Sequence, residues 1–452
     1  MGADKDQEYF SDGLAEEIIN LLAKIPGLKV IARTSAFAFR GKETDIRGIA
    51  GALGVTHVLE GSVRRTETRL RVTGQLIDAA DGTHLWSERY DREMSDIFAL
   101  QDDIATAITG VLRVKLSPEA IRKRYEPKLE AYEAYLKARY LQGKATPESL
   151  ELAKQYHERA IQLDPAFAVA RTEAGFYWVA MVMFGRCPMD KASLAARADA
   201  EQALQIDPAL PDAHALLGYL SAVFEMDWVK AEQYFAFPGA TQVGNSITQP
   251  LYGWFQYLRG NVAEAIALAL RAIEQDPLDV WSRMNLHAYL QAADREREAL
   301  EQLRKVLELD PNQAVAMVSV AMILADQGNL REALAAARRA HSIGAWLPET
   351  TGVLAALLYR SGEDAESQSI AKTHGSGRVP GDARAQALFH LLCGEVDKGA
   401  DWAINEGDLA MRTVYIRFVA CKQLRASNRW PKIAKMINLP QTAETPGLQA
   451  HG

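Results

Sequence analysis

Apolar positions recur along this chain with two periods, and the place where one of them stops divides it. Up to about residue 116, helical and strand-like spacings alternate. Leu14, Ile18, Leu21, Leu22 and Ile25 share one helical face. They predict a helix from about Asp12 to Lys24, with Ser11 as its cap and Pro26-Gly27 as its stop. Leu28 to Arg33 (LKVIAR) reads as a strand, and Asp45 to Leu53 as a short helix closed by Gly54. Three strand-like runs follow, Val55 to Arg65, Leu70 to Ala79 and Thr83 to Tyr90. In the second, Leu70, Val72, Gly74, Leu76 and Asp78 alternate with Arg71, Thr73, Gln75 and Ile77, the pattern of a half-buried antiparallel strand. Thr66-Glu67-Thr68 and Ala80-Asp81-Gly82 are short enough for hairpin turns. A last helix, from Ser95 to about Lys115, would turn Ile97, Leu100, Ile104, Ile108, Val111 and Leu112 inward.

Beyond Pro118 the strand period disappears and Ala-rich helical segments follow one another, with the boundary expected in Ser117 to Lys128. Four segments share one ending: AIQLDP to Pro165, ALQIDP to Pro208, AIEQDP to Pro277 and VLELDP to Pro311. Their prolines are 43, 69 and 34 residues apart: one period plus an insertion, about two periods, and one period. Small residues recur at matching places: Gly175, Ala196 and Ala203; Gly218 and Ala231, with Phe235; Gly253, Ala265 and Ala272; Ala299; Ala333 and Ala340. This pattern resembles tetratricopeptide repeats. Gly or Ala at a helix crossing lets two backbones approach, where a larger side chain would overpack by about 1–3 kcal/mol. Asp-Pro ends the second helix because proline disfavours the α conformation of the residue before it. Gly260-Asn261 and Gly328-Asn329 turn the first helix into the second. Hairpins are expected to start near 131, 168, 211, 246, 280 and 314, with two degenerate ones near 348 and 380. The fold class expected is therefore an α/β amino-terminal domain, a small mixed sheet with helices, plus an all-α tetratricopeptide superhelix. Its divisions are residues 1–116, a linker at 117–130, the array at 131–438 and a disordered tail at 439–452.

Composition adds exclusions. Hydrophobic residues make up 48% of the chain and charged residues 24%, ordinary for a globular protein and unlike a disordered one. A net charge of −7 gives no electrostatic reason to expect nucleic acid as partner. Cys187, Cys393 and Cys421 form no CxxC pair and read as small buried hydrophobes in a reducing compartment. No run approaches a membrane span, and the polar start is unlike a signal peptide.

The first part carries a more specific likeness. YFSDGLAEEIINLLAKIPGLKVIARTSAFAFRGK, ALGVTHVLEGSVRR, RVTGQLIDAADGTHLWSERYDRE and DIFALQDDIATAI, in that order, resemble a TolB amino-terminal-like domain. In bacteria that resemblance implies a domain often followed by tetratricopeptide repeats. The resemblance further implies a pair that commonly sits downstream of a class III adenylate/guanylate cyclase domain, a winged-helix regulator or a protein kinase. The family's leading apolar strand would precede Gly2-Ala3-Asp4. The sheet is accordingly expected to lack a strand and to leave an edge open to self-association.

Chemistry is sparse. The chain has no GxxxxGK[ST], HExxH, GxSxG or kinase signature. His374 to Gly381 is glycine-rich but follows no strand, and reads as a loop between repeats. His157, His214, His287 and His390 lie singly within repeat helices. Glu16-Glu17 and Asp102-Asp103 read as solvated helix faces. Arg64, Arg65, Arg69 and Arg71 form the notable basic group, able to share one face across a hairpin. No catalytic, metal or cofactor residues are expected. The reading is a non-catalytic scaffold that takes a protein or peptide partner in the repeat groove, with no nucleic acid and no membrane in this chain. The alternative is an accessory part of a class III cyclase or kinase system. The cytoplasm is the expected location, or the periplasm where a membrane helix precedes the chain.

Overall fold

The computed structural model describes residues 5–23, 25, 27–42, 44–66, 68–114, 125–144, 146–183, 186–241, 248–374, 381–405 and 421–439. Most of the expected linker, turn residue Glu67, the interior of the glycine-rich loop and the tail from residue 440 lie outside these.

Helix α1 (Lys5–Ala23) begins a full turn and more before the expected start, so Ser11 lies inside it rather than capping it. The apolar stripe runs further back than Leu14: Phe10 is 1% exposed and precedes Leu14 by one turn on the same face. Leu28 to Arg33 is not a strand. Its backbone is extended at Ala32 (φ −69°, ψ 162°), but no sheet edge receives it. The Ala32 N–H donates instead to the Gln275 carbonyl, and α2 (Arg33–Phe37) follows at once. Helix α3 (Ile46–Leu53) is capped by the Asp45 carboxylate on the Gly48 N–H and ends at Gly54 in the left-handed region.

Strands β1 (His57–Arg65), β2 (Arg69–Asp78) and β3 (His84–Glu93) form an antiparallel sheet in the order β1-β2-β3. Leu70, Val72, Gly74 and Leu76 face the core as the alternation requires; an irregularity between Leu76 and Ile77 buries Ile77 as well. After a single 3-10 turn, α4 (Ile97–Val111) buries Ile97, Leu100, Ile104 and Ile108.

Eight consecutive helix pairs then follow among the described residues. They are α5 (Leu129–Gly143) with α6 (Pro147–Leu163), α7 (Ala168–Met183) with α8 (Met189–Ile206), and α9 (Pro211–Tyr219) with α10 (Trp228–Phe235). Next come α11 (Thr248–Leu258) with α12 (Val262–Gln275), α13 (Val280–Ala292) with α14 (Glu296–Leu309), and α15 (Ala314–Asp326) with α16 (Leu330–Gly344). The last are α17 (Pro348–Arg360) with α18 (Asp364–Lys372) and α19 (Asp382–Leu392) with α20 (Val396–Asn405). Two short helices, α21 (Lys422–Arg425) and α22 (Trp430–Met436), end the described chain.

The local rules for these pairs are visible in the backbone. Asp164, Asp207, Asp276 and Asp310 end α6, α8, α12 and α14 with φ between −129° and −139°, outside the helical region that the following proline disfavours. Gly260, Gly328, Gly362 and Gly394 turn the first helix into the second with φ of 78° to 83°, at little steric cost to glycine. At the crossings, a Cβ on Gly175 would meet Leu216 and the Ala196 carbonyl, and one on Gly352 would run into the Ala385 backbone. Gly253 departs from the expectation: its neighbours stand at ordinary contact distance, 3.5 Å from the Tyr289 hydroxyl and 3.7 Å from the Leu268 Cβ. The molecule is thus a small α/β part followed by an all-α tetratricopeptide-type array. The two share material, because one core joins Phe10, Leu14, Leu70, Trp86 and Ile104 to Tyr132, Tyr135, Leu136 and Phe167.

Candidate interaction surfaces

Surfaces for a partner depend on what the array leaves uncovered, and segments from both ends of the described chain lie against it. At the start, α1 lies against α5. A Cβ on Gly13 would fall among the Leu136 side-chain carbons, so glycine is what allows this approach. The seam between α1, α5 and α7 is ionic. Arg139 of α5, with its side chain 16% exposed, pairs with Glu16 of α1. Its guanidinium also lies 3.9 Å from Glu17 and 3.8 Å from Glu173 of α7, and it donates to the Tyr135 hydroxyl at 2.9 Å. Arg33 adds a second cation 3.2 Å from Glu16. Burial, opposed by Arg139 and reinforced by Glu16, Asp212 and Glu17, holds the Glu173 carboxyl up at about 7. The expectation of a solvated face at Glu16-Glu17 is therefore overturned: both carboxylates are folded inward onto α5. Asp102 and Asp103 do remain exposed.

The same amino-terminal segment reaches much further along the array. The Ser35 N–H donates to Asp276 Oδ1 at 2.9 Å, and the Ser35 hydroxyl donates to the same oxygen. In return the Leu278 N–H donates to Ser35 Oγ at 2.7 Å. The carboxylate of one Asp-Pro ending thus receives a segment from the first 40 residues. Asp164, at another such ending, does the same for the lead-in to α5, accepting from the Tyr125 hydroxyl and the Lys128 N–H. The Asp207 carboxylate, by contrast, accepts within its own turn, from the Ala209 N–H.

At the far end, residues 421–439 lie across three separated hairpins. Lys422 reaches Asp326 of α15 at 3.5 Å, Arg429 pairs with Asp397 at 3.7 Å and with Asp401, both of α20, and Asn438 Nδ2 donates to the Met226 carbonyl at 3.0 Å. Trp228 returns a bond from its indole N–H to the Asn438 carbonyl. Cys421, Leu424, Ile433 and Ile437 are fully buried and Trp430 is 5% exposed, all within the core that runs through α7 to α20.

The singled-out residues are dispersed rather than gathered. His157 is buried and its pKa is pushed down to about 3 by burial and by Arg139; its Nε2 bonds Gln142. His214 stacks on Phe237, His287 bonds the Met284 carbonyl, and His390 meets Glu395. The arginine group splits. Arg65 turns to the core side, over the Phe10 ring and against Glu133, while Arg69 and Arg71 meet Asp91 on the outer face. The acidic partner of Arg69 and Arg71 thus belongs to the sheet itself. Cys187, Cys393 and Cys421 are free thiols, and burial raises the latter two to about 12. Among the described residues no group of three or more His, Cys, Asp or Glu could hold a metal ion, and no helix is long and apolar enough to cross a membrane. A shallow hollow of about 250 Å³ is lined by His390, Lys398, Asp401, Trp402 and Asn405.

Neither end contact is apparent from local sequence pattern. Arg139 and Glu173 sit in ordinary helices and become partners only through tertiary packing. Residues 422–439 do carry a signal, five Lys or Arg and no Asp or Glu in a chain that is acidic overall.

No family model matches the chain. A curated relative, named Putative adenylate cyclase 3, from Rhizobium meliloti (strain 1021), is 46% identical over 175 residues. The match takes in 38% of this chain and 30% of that protein, so the chain spans under a third of the relative's length. Among solved structures, YrrB, titled a TPR protein with an unusual peptide-binding site, is 21% identical over 41% of this chain and 89% of its own, with a TM-score of 0.25. Yeast Tom70 is 14% identical over 76% of each chain, with a TM-score of 0.42. A human IFIT1 dimer with m7Gppp-AAAA is 14% identical over 75% of this chain and 77% of its own, with a TM-score of 0.49. The array is defined by its own periodic backbone, independently of these likenesses.

Proposed function

We propose that the chain is a non-catalytic interaction scaffold of bacterial signalling or regulation, in which the helical array docks a protein segment. Residues 1–116 act as a TolB amino-terminal-like unit that caps the array, and residues 131–438 act as the docking body. The observation that carries this reading is the series of eight helix pairs among the described residues, in which the buried carboxylates of two Asp-Pro endings, Asp164 and Asp276, already receive other segments of the chain, with titratable groups otherwise dispersed. Stacked hairpins of this kind offer extended surfaces to other chains. The overall charge of −7 disfavours a nucleic-acid partner. The free thiols Cys187, Cys393 and Cys421 support the cytoplasm as the location, with the periplasm as the alternative where a membrane helix precedes the chain.

The test is affinity capture by the full chain, read by mass spectrometry. Recovery of one protein in stoichiometric amount supports the scaffold. Synthesis of a cyclic nucleotide from ATP or GTP by the purified chain overturns it. A second reading, an accessory part of a class III adenylate cyclase system, is favoured by the likeness to the Rhizobium protein. Recovery of a cyclase as the captured protein would select it.

A further inference from the structure

Residues 421–439 differ in kind from the rest of the array. The helices α21 and α22 span 4 and 7 residues, too short to be stable alone. Both pack on α20, and polar contacts of Lys422 and Asn438 reach past it to Asp326 and the Met226 carbonyl. The segment's ion pairs are cationic on its own side and anionic on the side of the array, Lys422 on Asp326 and Arg429 on Asp397 and Asp401, beside a neutral pair of bonds between Asn438 and the Met226–Trp228 region. Leu424, between the two cations, and Trp430, Ile433 and Ile437, beyond them, enter the core of the array. The segment has the form of a bound amphipathic peptide, with an aromatic anchor, an aliphatic ridge and a basic rim on an acidic surface.

We propose that residues 421–439 are a resident ligand on the array's docking surface, and that the partner is a basic, tryptophan-bearing amphipathic segment that takes their place. This rests on the reading of the array as a docking body and specifies the chemistry of what it docks. Asp326, Asp397 and Asp401 select for positive charge, and the seat of Trp430 selects for a large aromatic. The partner gains access as the resident segment lifts, so its apparent affinity is lowered by the fraction of chains in which the seat is occupied.

The experiment uses the full chain with Arg429→Glu, a partly exposed side chain whose reversal sets three acids together and leaves the core intact. Trp430→Ala is the second variant. Hydrogen exchange is followed at residues 421–439, and binding is measured with a fluorescent synthetic peptide of residues 421–439. The expected result is about tenfold faster exchange confined to that segment in both variants. The peptide is expected to bind each variant at least tenfold tighter than it binds the unaltered chain, more weakly at high salt, and not when its tryptophan is replaced by alanine. Two results overturn the proposal. One is exchange at 421–439 that changes only together with hairpins α9 to α20. The other is a peptide that binds the loosened chain no better than a scrambled peptide does. Either would leave the scaffold reading standing if affinity capture still recovered a partner, so the two can fail separately.

Discussion

The two ends of the array are both covered by the chain's own residues, but by opposite means. At the start, α1 is held through a seam in which Arg139 is largely buried among Glu16, Glu17 and Glu173, and the apolar core continues across it without a break. At the finish, the charged contacts sit on the rim, with Lys422 and Asp326 each nearly half exposed, while Cys421, Leu424, Trp430, Ile433 and Ile437 enter the core. A buried charge set is strongly destabilised by losing one member, whereas rim pairs contribute little. Both segments share the core of the array, and the difference lies in where the charges sit: inside the seam at the amino-terminal cap, on the rim at the carboxy-terminal segment.

The sharpest way to break the comparison is Arg139→Ala. It leaves three inward-facing carboxylates near one another and is expected to cost about 3–5 kcal/mol in denaturant unfolding. A loss below about 1 kcal/mol would show the seam to be solvated like the far end. Next in size is a pH effect. The folded state holds the Glu173 proton to about 7, against 4.5 for the free side chain, so it binds that proton more tightly than the unfolded chain does. The contribution is therefore fully present below about 4.5 and is lost as pH rises through 7. The unaltered chain should lose on the order of 2–3 kcal/mol between pH 4.5 and 8 from this group, and Glu173→Gln should remove that slope. Urea midpoints across the pH range would decide it. Ser35→Ala should cost about 1–2 kcal/mol, because the buried Asp276 carboxylate loses its hydroxyl donor. Faster hydrogen exchange near Leu278 would localise the effect. The smallest change belongs to the far end: Asp326→Asn should alter global stability by less than about 1 kcal/mol, with any effect vanishing in high salt.

How much of this is legible in the sequence follows from the range of the forces involved. The hairpins, their Asp-Pro endings and their glycine turns are local devices, and the expected starts near 168, 211, 280, 314 and 348 coincide with α7, α9, α13, α15 and α17. The alternation of Leu70, Val72 and Leu76 is equally local. What fails is long-range. Leu28 to Arg33 has strand-like composition, but a strand also needs a free edge at the right place, and the segment gives its backbone to Gln275 instead. Ser11 is a plausible cap by type, yet the Phe10 side chain carries the helix past it. Glu16-Glu17 has the pattern of a solvated face because Arg139 is more than 120 residues away in sequence. The candidate surfaces depend on such pairings almost entirely, so the array is readable from sequence while the seating of its two ends is not.

The bond from Ser35 to Asp276 spans 241 residues of chain. On a ribosome the amino-terminal segment emerges first, yet its last partner is made only after four hairpins have followed. Until then the Ser35 hydroxyl and amide are left to water rather than to the Asp276 carboxylate. Completion of the first part of the molecule is thus timed by synthesis of the middle. A chain halted before residue 276 would carry a finished sheet and an unfinished clasp.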